Sequence, residues 1–330
     1  MKLVEAGAKI LFSRVGQVLA NAAVVMYVAK TLGPEGQGHY SLTVALVMLL
    51  AALLGGGMGL AAVPPLRQDK VPPFRMLKAQ LLWASAMVLL LVAIVWWSSS
   101  DQPAAIFQQR LGWTAGVGGL AALAATGFLG FDIFSYDLLA RGRLVVGAAV
   151  NGSRAFGHLL MVVGLMTLGA LTFSRAVGVF ALAQFGGMVA MLVILLREYR
   201  RPAPAGSGVP IRDIISEAGI VEDDPGAVPG DLAERSLAGL IAFNLRRGWL
   251  GQISAVAYFL LLRLDQGILE HFRGAAEVGI YSVGVYVGEM LWLLPGALTP
   301  LLVHSSARNH GDPDRERTAA RALRLGMVLV

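Results

Sequence analysis

The chain has 330 residues, of which 56% are hydrophobic and 15% are charged, with a mean hydropathy of +0.66 and a net charge of +6. Soluble domains carry about 25% charged residues, so this composition excludes an ordinary soluble protein and indicates the membrane class. The absence of cysteine excludes disulfides and thiol chemistry. For a protein of the membrane class we expect no nucleic-acid partner.

Apolar segments of membrane-spanning length recur along the chain. A helix needs about 20 mostly apolar residues to cross the hydrocarbon core of a bilayer. Gly36 to Leu66 and Ala79 to Ser100 contain no formal charge, and three further stretches of this kind follow. We therefore predict an all-α integral membrane protein, a polytopic helical bundle with eight complete transmembrane helices. The predicted spans are residues 10–31, 40–65, 76–97, 113–135, 145–170, 176–196, 243–264 and 279–304, with the start of a ninth near Ala319.

The basic residues predict the orientation and the organisation of the chain. With a cytoplasmic N-terminus, 21 of the 27 Lys and Arg residues lie on the inner side, 5 lie on the outer side and Arg154 lies within a span. We expect a multi-pass protein of the inner, cytoplasmic membrane. The polar, Pro- and Gly-containing stretch 198–236 is predicted to be a cytoplasmic linker. It separates an N-terminal six-helix half, 1–197, from an incomplete C-terminal half, 237–330, which is expected either to be a fragment or to be completed by partners.

Two glycine-rich segments resemble nucleotide-binding loops only superficially. GPEGQG, residues 33–38, lacks both the glycine spacing of a dinucleotide fingerprint and the Lys-Ser/Thr of a Walker loop, so we interpret it as a turn between two spans. GMGLAA, residues 57–62, matches the G-x-G-x-x-A pattern but lies in a continuously apolar run. Small residues that allow close helix packing explain it better.

Polar residues inside the spans are the candidate functional groups, because they are costly in a bilayer and usually face a bundle interior. Three spans each carry a polar stripe on one helix face. The candidate substrate-cavity residues are Arg14, Gln17, Asn21, Asn151, Arg154, His158 and Tyr286. The candidate ion-coupling or ion-pair residues are Asp132, Arg263, Asp265 and Glu289.

Two interpretations of these residues remain open from the sequence. Arg14 and Arg263 are as compatible with snorkelling to the headgroups as with a cavity, whereas the depth of Arg154 and Glu289 favours a cavity. A cavity with several arginines suits an anionic headgroup, because a guanidinium binds phosphate oxygens in bidentate fashion. Glu289 fits a proton or cation coupling site and a structural ion pair with Arg154 equally well.

Two blocks of the sequence resemble polysaccharide-type flippases of the multidrug/oligosaccharidyl-lipid/polysaccharide (MOP) exporter superfamily. LFSRVGQVLANAAVVMYVAKTLGPEGQGHYSL, residues 11–42, is similar to the first two spans of that family with their Leu-Gly-Pro-Glu…Gly-x-Tyr turn. LLRLDQGILEHFRGAAEVGIYSVGVYVGEMLWLLPGALTPLLVHSSA, residues 261–307, is similar to its seventh and eighth spans. The matching positions of the second block are Asp265, Val278, Gly279, Tyr281, Ser282 and Pro300.

The resemblance implies a two-halved bundle of 12–14 helices that flips undecaprenyl-pyrophosphate-linked oligosaccharide by alternating access, with Arg14 matching a basic residue of the first span. It implies a transporter rather than an enzyme, with membrane lipids and polysaccharide assembly proteins as partners. It implies no cofactor and leaves coupling to protons or sodium ions open. The five histidines show no paired spacing, so we predict no metal site. The alternatives are a drug or cation antiporter of the same superfamily, a membrane-embedded polysaccharide polymerase or ligase, and a non-transporting membrane scaffold.

Overall fold

The computed structural model describes residues 2–98, 110–200, 232 and 234–291, and the long regular elements in these ranges are all α-helices. The all-α prediction is confirmed for this part of the chain. The predicted ninth span and most of the linker lie outside the described residues. The helices, numbered in chain order, are α1 Lys2–Gly55, α2 Met58–Arg67, α3 Pro73–Ser98, α4 Ala115–Ala140, α5 Leu144–Thr167, α6 Phe173–Arg200, α7 Leu237–Arg273 and α8 Ala275–Leu291.

Several helices are suited to a bilayer. Within the described residues, four helical stretches are long and apolar enough to cross a membrane: Phe12–Gly55, Pro73–Trp97, Gly116–Ala140 and Phe173–Arg200. Large apolar side chains on α3 and α7 point away from the protein, with Trp96 80% exposed and Leu261 79% exposed. Exposed apolar side chains on long helices are typical of contact with lipid, so the described part of the chain is all-helical and suited to a membrane; the count of eight spans remains a prediction.

Helix α1 folds back on itself at Gly33, which has a φ of 72° that favours glycine, and Pro34 opens the helix that follows. Ser13 donates to the carbonyl of Ala148 at 2.6 Å, and the Tyr40 hydroxyl lies 3.4 Å from Nε2 of His158. The two contacts on α5 are about 15 Å apart, whereas Ser13 and Tyr40 would be about 40 Å apart on a straight helix. Residues 2–32 and 34–55 are therefore two arms side by side, and the predicted turn is confirmed.

The predicted second span is not one continuous helix, because Gly56 and Gly57 interrupt it with φ values of 57° and 70°. Helix breaks leave backbone groups without helical partners. Here the side chain of Gln252, on α7, accepts from the amide of Gly57 at 2.8 Å and donates to the carbonyl of Ala52. Trp83 of α3 donates to the carbonyl of Leu54 at 3.0 Å. Hydropathy along the sequence could not indicate this break, because the interrupted segment contains no polar residue at the break and the side chains that stabilise it come from other helices.

The glycines at this break pack against neighbouring helices. A Cβ at Gly57 would overlap the backbone of Gly248 on α7, and one at Gly59 would overlap the ring of Tyr136 on α4. The interpretation of residues 57–62 as a close-packing motif is therefore confirmed, and no strand precedes the motif as a dinucleotide fold would require.

The second arm of α1 and helix α8 cross with their backbones in contact. A Cβ at Gly38 would overlap the carbonyl oxygen of Ala275, and one at Gly279 would overlap that of Pro34. Beside this crossing, Gln37 donates to Ser282 at 3.2 Å, and both side chains are fully buried. Residues 34–38 and 275–279 thus meet at one helix crossing.

The crossing predicts a strong difference between two glycines of α8. Gly279→Ala should lower the free energy of unfolding in detergent by about 2 kcal/mol or more, because overpacking forces the backbones apart. Gly284→Ala is the matched control, since nothing lies within 4 Å of a Cβ there. Thermal unfolding of the two variants checks this, and equal melting temperatures would contradict the close crossing.

Candidate functional site

A polar cluster around Arg154 lies among the N-terminal helices. Arg154 of α5 donates through Nη2 to Oδ1 of Asn151 at 2.6 Å and through Nη1 to Oε1 of Gln184 on α6. The amide of Asn151 in turn donates to Oε1 of Gln17, on the first arm of α1, at 2.7 Å. These hydrogen bonds connect three helices through one guanidinium and three amide side chains. Of the polar stripe predicted on the first span, Gln17 therefore contacts the stripe of the fifth span.

Aromatic rings of α4 complete the surroundings of Arg154. Its Cζ lies 4.5 Å from the ring centroid of Phe131 and 5.6 Å from that of Phe128. The cation contacts π faces and neutral amide oxygens, and no carboxylate of the described residues forms an ion pair with it. An arginine that is not neutralised keeps its full attraction for an anion such as phosphate.

His158 extends the cluster along α5. Its ring is 6% exposed, shares a hydrogen bond with Tyr40 and lies 5.7 Å from the ring of Phe180.

Two other predicted cavity residues, on the first arm of α1, lie outside the cluster: Arg14 is exposed and Asn21 is half-buried. No hydrogen bond joins either of them to the cluster in the described part of the chain.

A second group of predicted residues lies on α7 and α8. The guanidinium of Arg263 packs over the ring of Tyr286, with Cζ 5.2 Å from the centroid. Asp265 accepts from the backbone N–H of Gln266 at 2.7 Å and from the hydroxyl of Tyr281. The second contact connects α7 to α8. Glu289 falls within α8, but its side chain lies outside the described residues.

A cavity of about 390 Å³ opens between the second arm of α1 and α7. Its walls are mostly apolar, and its polar lining consists of Arg110, Arg263, Gln266 and Glu270. Arg110 pairs with Glu270 at 3.2 Å, and this pair joins the N-terminal helices to α7. The apolar lining residues are Leu42, Ala45, Leu46, Leu49, Leu111, Phe259, Leu260, Leu264 and Gly267.

The structure buries an acid that the sequence patterns did not single out. Asp132 is exposed, whereas Asp137, further along α4, is completely buried. Oδ1 of Asp137 accepts from Nε2 of Gln80 on α3 at 2.8 Å, and Oδ2 accepts from the hydroxyl of Tyr199 on α6 at 2.7 Å. Both acids belong to the run FDIFSYDLLA, and the sequence contains no signal that separates them.

Within the described residues, no group of three or more His, Asp or Glu side chains is arranged to hold a metal ion. A comparison of the chain with protein-family models, with curated proteins and with solved structures found no match.

The Arg154 cluster predicts that the guanidinium cannot be replaced by another cation. Arg154→Lys should lower the free energy of unfolding by about 1–2 kcal/mol, because an ammonium cannot bridge two amide oxygens while stacking on Phe131. Arg14→Lys, at an exposed position of the facing stripe, should change it by less than about 0.5 kcal/mol. Unfolding in detergent measures both, and equal losses would contradict the geometry of the cluster.

Proposed function

We propose that this chain belongs to a transporter that flips lipid-linked oligosaccharide, carried on undecaprenyl pyrophosphate, across the cytoplasmic membrane for surface polysaccharide assembly. The observation that carries the proposal is the cavity between the second arm of α1 and α7, which combines apolar walls with two arginines. The transporter acts with its N-terminus on the cytoplasmic side and performs no covalent chemistry on its substrate.

The lining of the cavity suits an amphiphilic anion. Leucine and phenylalanine side chains favour contact with a hydrocarbon chain, and burial of that chain contributes about 0.8 kcal/mol per CH₂ group. Arg110 and Arg263 supply guanidinium groups for phosphate oxygens. A volume of about 390 Å³ lies at the lower end of the usual range for ligand pockets, so the cavity accommodates only part of a long carrier.

The ion pair at the edge of the cavity provides a contact that a phosphate can replace. The side chain of Arg110 is 43% exposed and that of Glu270 is 16% exposed, so the pair is only partly screened by water. A pyrophosphate oxygen can take the place of Glu270 on Arg110 when the carboxylate moves aside, because the two anions repel each other. Release of Glu270 would remove one contact between α7 and the N-terminal helices, while Gln252 and the packing of Gly57 on Gly248 would still hold the helices together.

Arg154 supports the same proposal from the N-terminal bundle. It is a cation held by neutral amides, and each amide can rotate to present its NH₂ group to an anion.

A drug or cation antiporter is the second candidate function, because the completely buried Asp137 is the kind of group that such a transporter uses.

A bulky residue in the cavity wall should block transport. Leu46→Trp fills the cavity from the second arm of α1, and we expect surface polysaccharide to fall at least ~10-fold, because the substrate can no longer enter. Leu53→Trp is the control, because Leu53 lies on the same arm but is 53% exposed. Polymer is measured in cells that depend on the protein, at matched expression. Normal polymer with Leu46→Trp would contradict the cavity as the substrate site.

The orientation predicts which chain segments react with a membrane-impermeant maleimide. Because the chain has no cysteine, Glu35→Cys and Lys70→Cys each introduce one thiol at an exposed position. In intact cells the thiol at position 35 should be labelled, and the thiol at position 70 only after permeabilisation. The reverse pattern would place the N-terminus on the outer side.

A further inference from the structure

We propose that Asp137 is a proton-binding site at the junction of α3, α4 and α6. The inference is independent of the proposed transport function. It rests on the burial of the carboxyl group, on the two neutral side chains that contact it, and on an unpartnered atom of one of them.

The carboxyl group is buried, and no cationic side chain of the described residues is in direct contact with it. Asp137 is 0% exposed, and its two hydrogen bonds come from the neutral groups of Gln80 and Tyr199. Leucines close to Asp137, Gln80 and Tyr199 in the sequence, Leu138, Leu77 and Leu195, belong to one buried hydrophobic cluster. A buried charge without a paired opposite charge is costly, so the neutral, protonated acid is an accessible alternative to the carboxylate.

The charged groups near the site lie beyond its immediate neighbours. The guanidinium of Arg141 stacks on the Tyr199 ring, 4.3 Å from its centroid, and donates to the backbone carbonyl of Glu198. The carboxylate of Glu198 pairs with Arg143 at 3.3 Å. Asp132 and Tyr136 are the other titratable groups on α4. Arg141 favours the carboxylate from a distance, but it donates no hydrogen bond to it among the described contacts.

Both neighbours of Asp137 can serve either protonation state. An amide has a donor end and an acceptor end, and a phenol can donate or accept. Oε1 of Gln80 is buried and has no hydrogen-bond partner among the described residues. Rotation of the amide by half a turn therefore breaks no bond except the one to Asp137. After rotation, Oε1 accepts from the protonated acid while Tyr199 continues to donate to its other oxygen.

The same geometry favours a proton over a metal ion. Na⁺, Ca²⁺ and Mg²⁺ require several oxygen ligands around the ion. Asp137 is instead flanked by an N–H and an O–H donor that point at its oxygens. The site lies one turn before the end of α4 at Ala140 and is therefore close to that end of the helix.

Infrared difference spectroscopy of the whole protein in lipid tests the proposal by following the C=O stretch of a protonated carboxyl group. We expect a band that grows as the pH falls, is absent in Asp137→Asn and remains in Asp132→Asn, the control on the same helix. The asparagine imitates the protonated acid and can bond to both Gln80 and Tyr199, so this variant is expected to fold. A band that persists in Asp137→Asn, or a wild-type spectrum that does not change with pH, would overturn the proposal.

A second variant keeps the test decisive if Asp137→Asn does not fold. Tyr199→Phe removes one donor to the carboxylate but keeps the ring that packs against Phe74 and Arg141. The midpoint of the band should then move up by about one pH unit, because a hydrogen bond to a charged acceptor is lost. An unchanged midpoint would show that the titrating acid is not Asp137.

Discussion

The contact between two helix backbones at Gly38 and Gly279 determines the arrangement of the second arm of α1 and α8. In a bilayer, lipid chains are as apolar as leucine side chains, so helices associate through close packing and polar contacts rather than by leaving water. Two glycines that face each other remove the side chains that would keep the backbones apart. The buried hydrogen bond between Gln37 and Ser282 then completes the crossing, because neither polar group has access to water there.

The second arm of α1 connects the two candidate sites. On one side, Tyr40 contacts His158 of the Arg154 cluster. On the other side, residues from Leu42 to Leu49 form a wall of the cavity against α7. The arm is tethered at Gly33 and at the Gly56–Gly57 break, where glycines allow the backbone to turn. A displacement of this arm would therefore change the cavity and the surroundings of His158 together.

Two ionisable groups inside the bundle are hydrogen-bonded to neutral partners. Arg154 bonds to amides, and Asp137 bonds to an amide and a phenol. Such arrangements differ from ion pairs, because each charged group retains its attraction for a ligand of opposite charge. An arginine held in this way can bind an anion, and an aspartate held in this way can bind a proton. Amides also rotate, so the same partners can serve the free and the bound states.

The sequence by itself determined the helical, membrane-embedded character of the chain, the turn at Gly33 and Pro34 and the face of α5 that carries Asn151 and Arg154, because hydropathy, backbone preference and helical periodicity are local properties. It did not determine which residues meet across helices. Only the tertiary structure decided that Gln184 rather than an acid holds Arg154, that Asp137 rather than Asp132 is buried, and that Gln252 bridges the break in the second span. The physical reason is that a pattern along one helix specifies which side chains share a face, whereas burial and pairing depend on the neighbouring helix that covers that face.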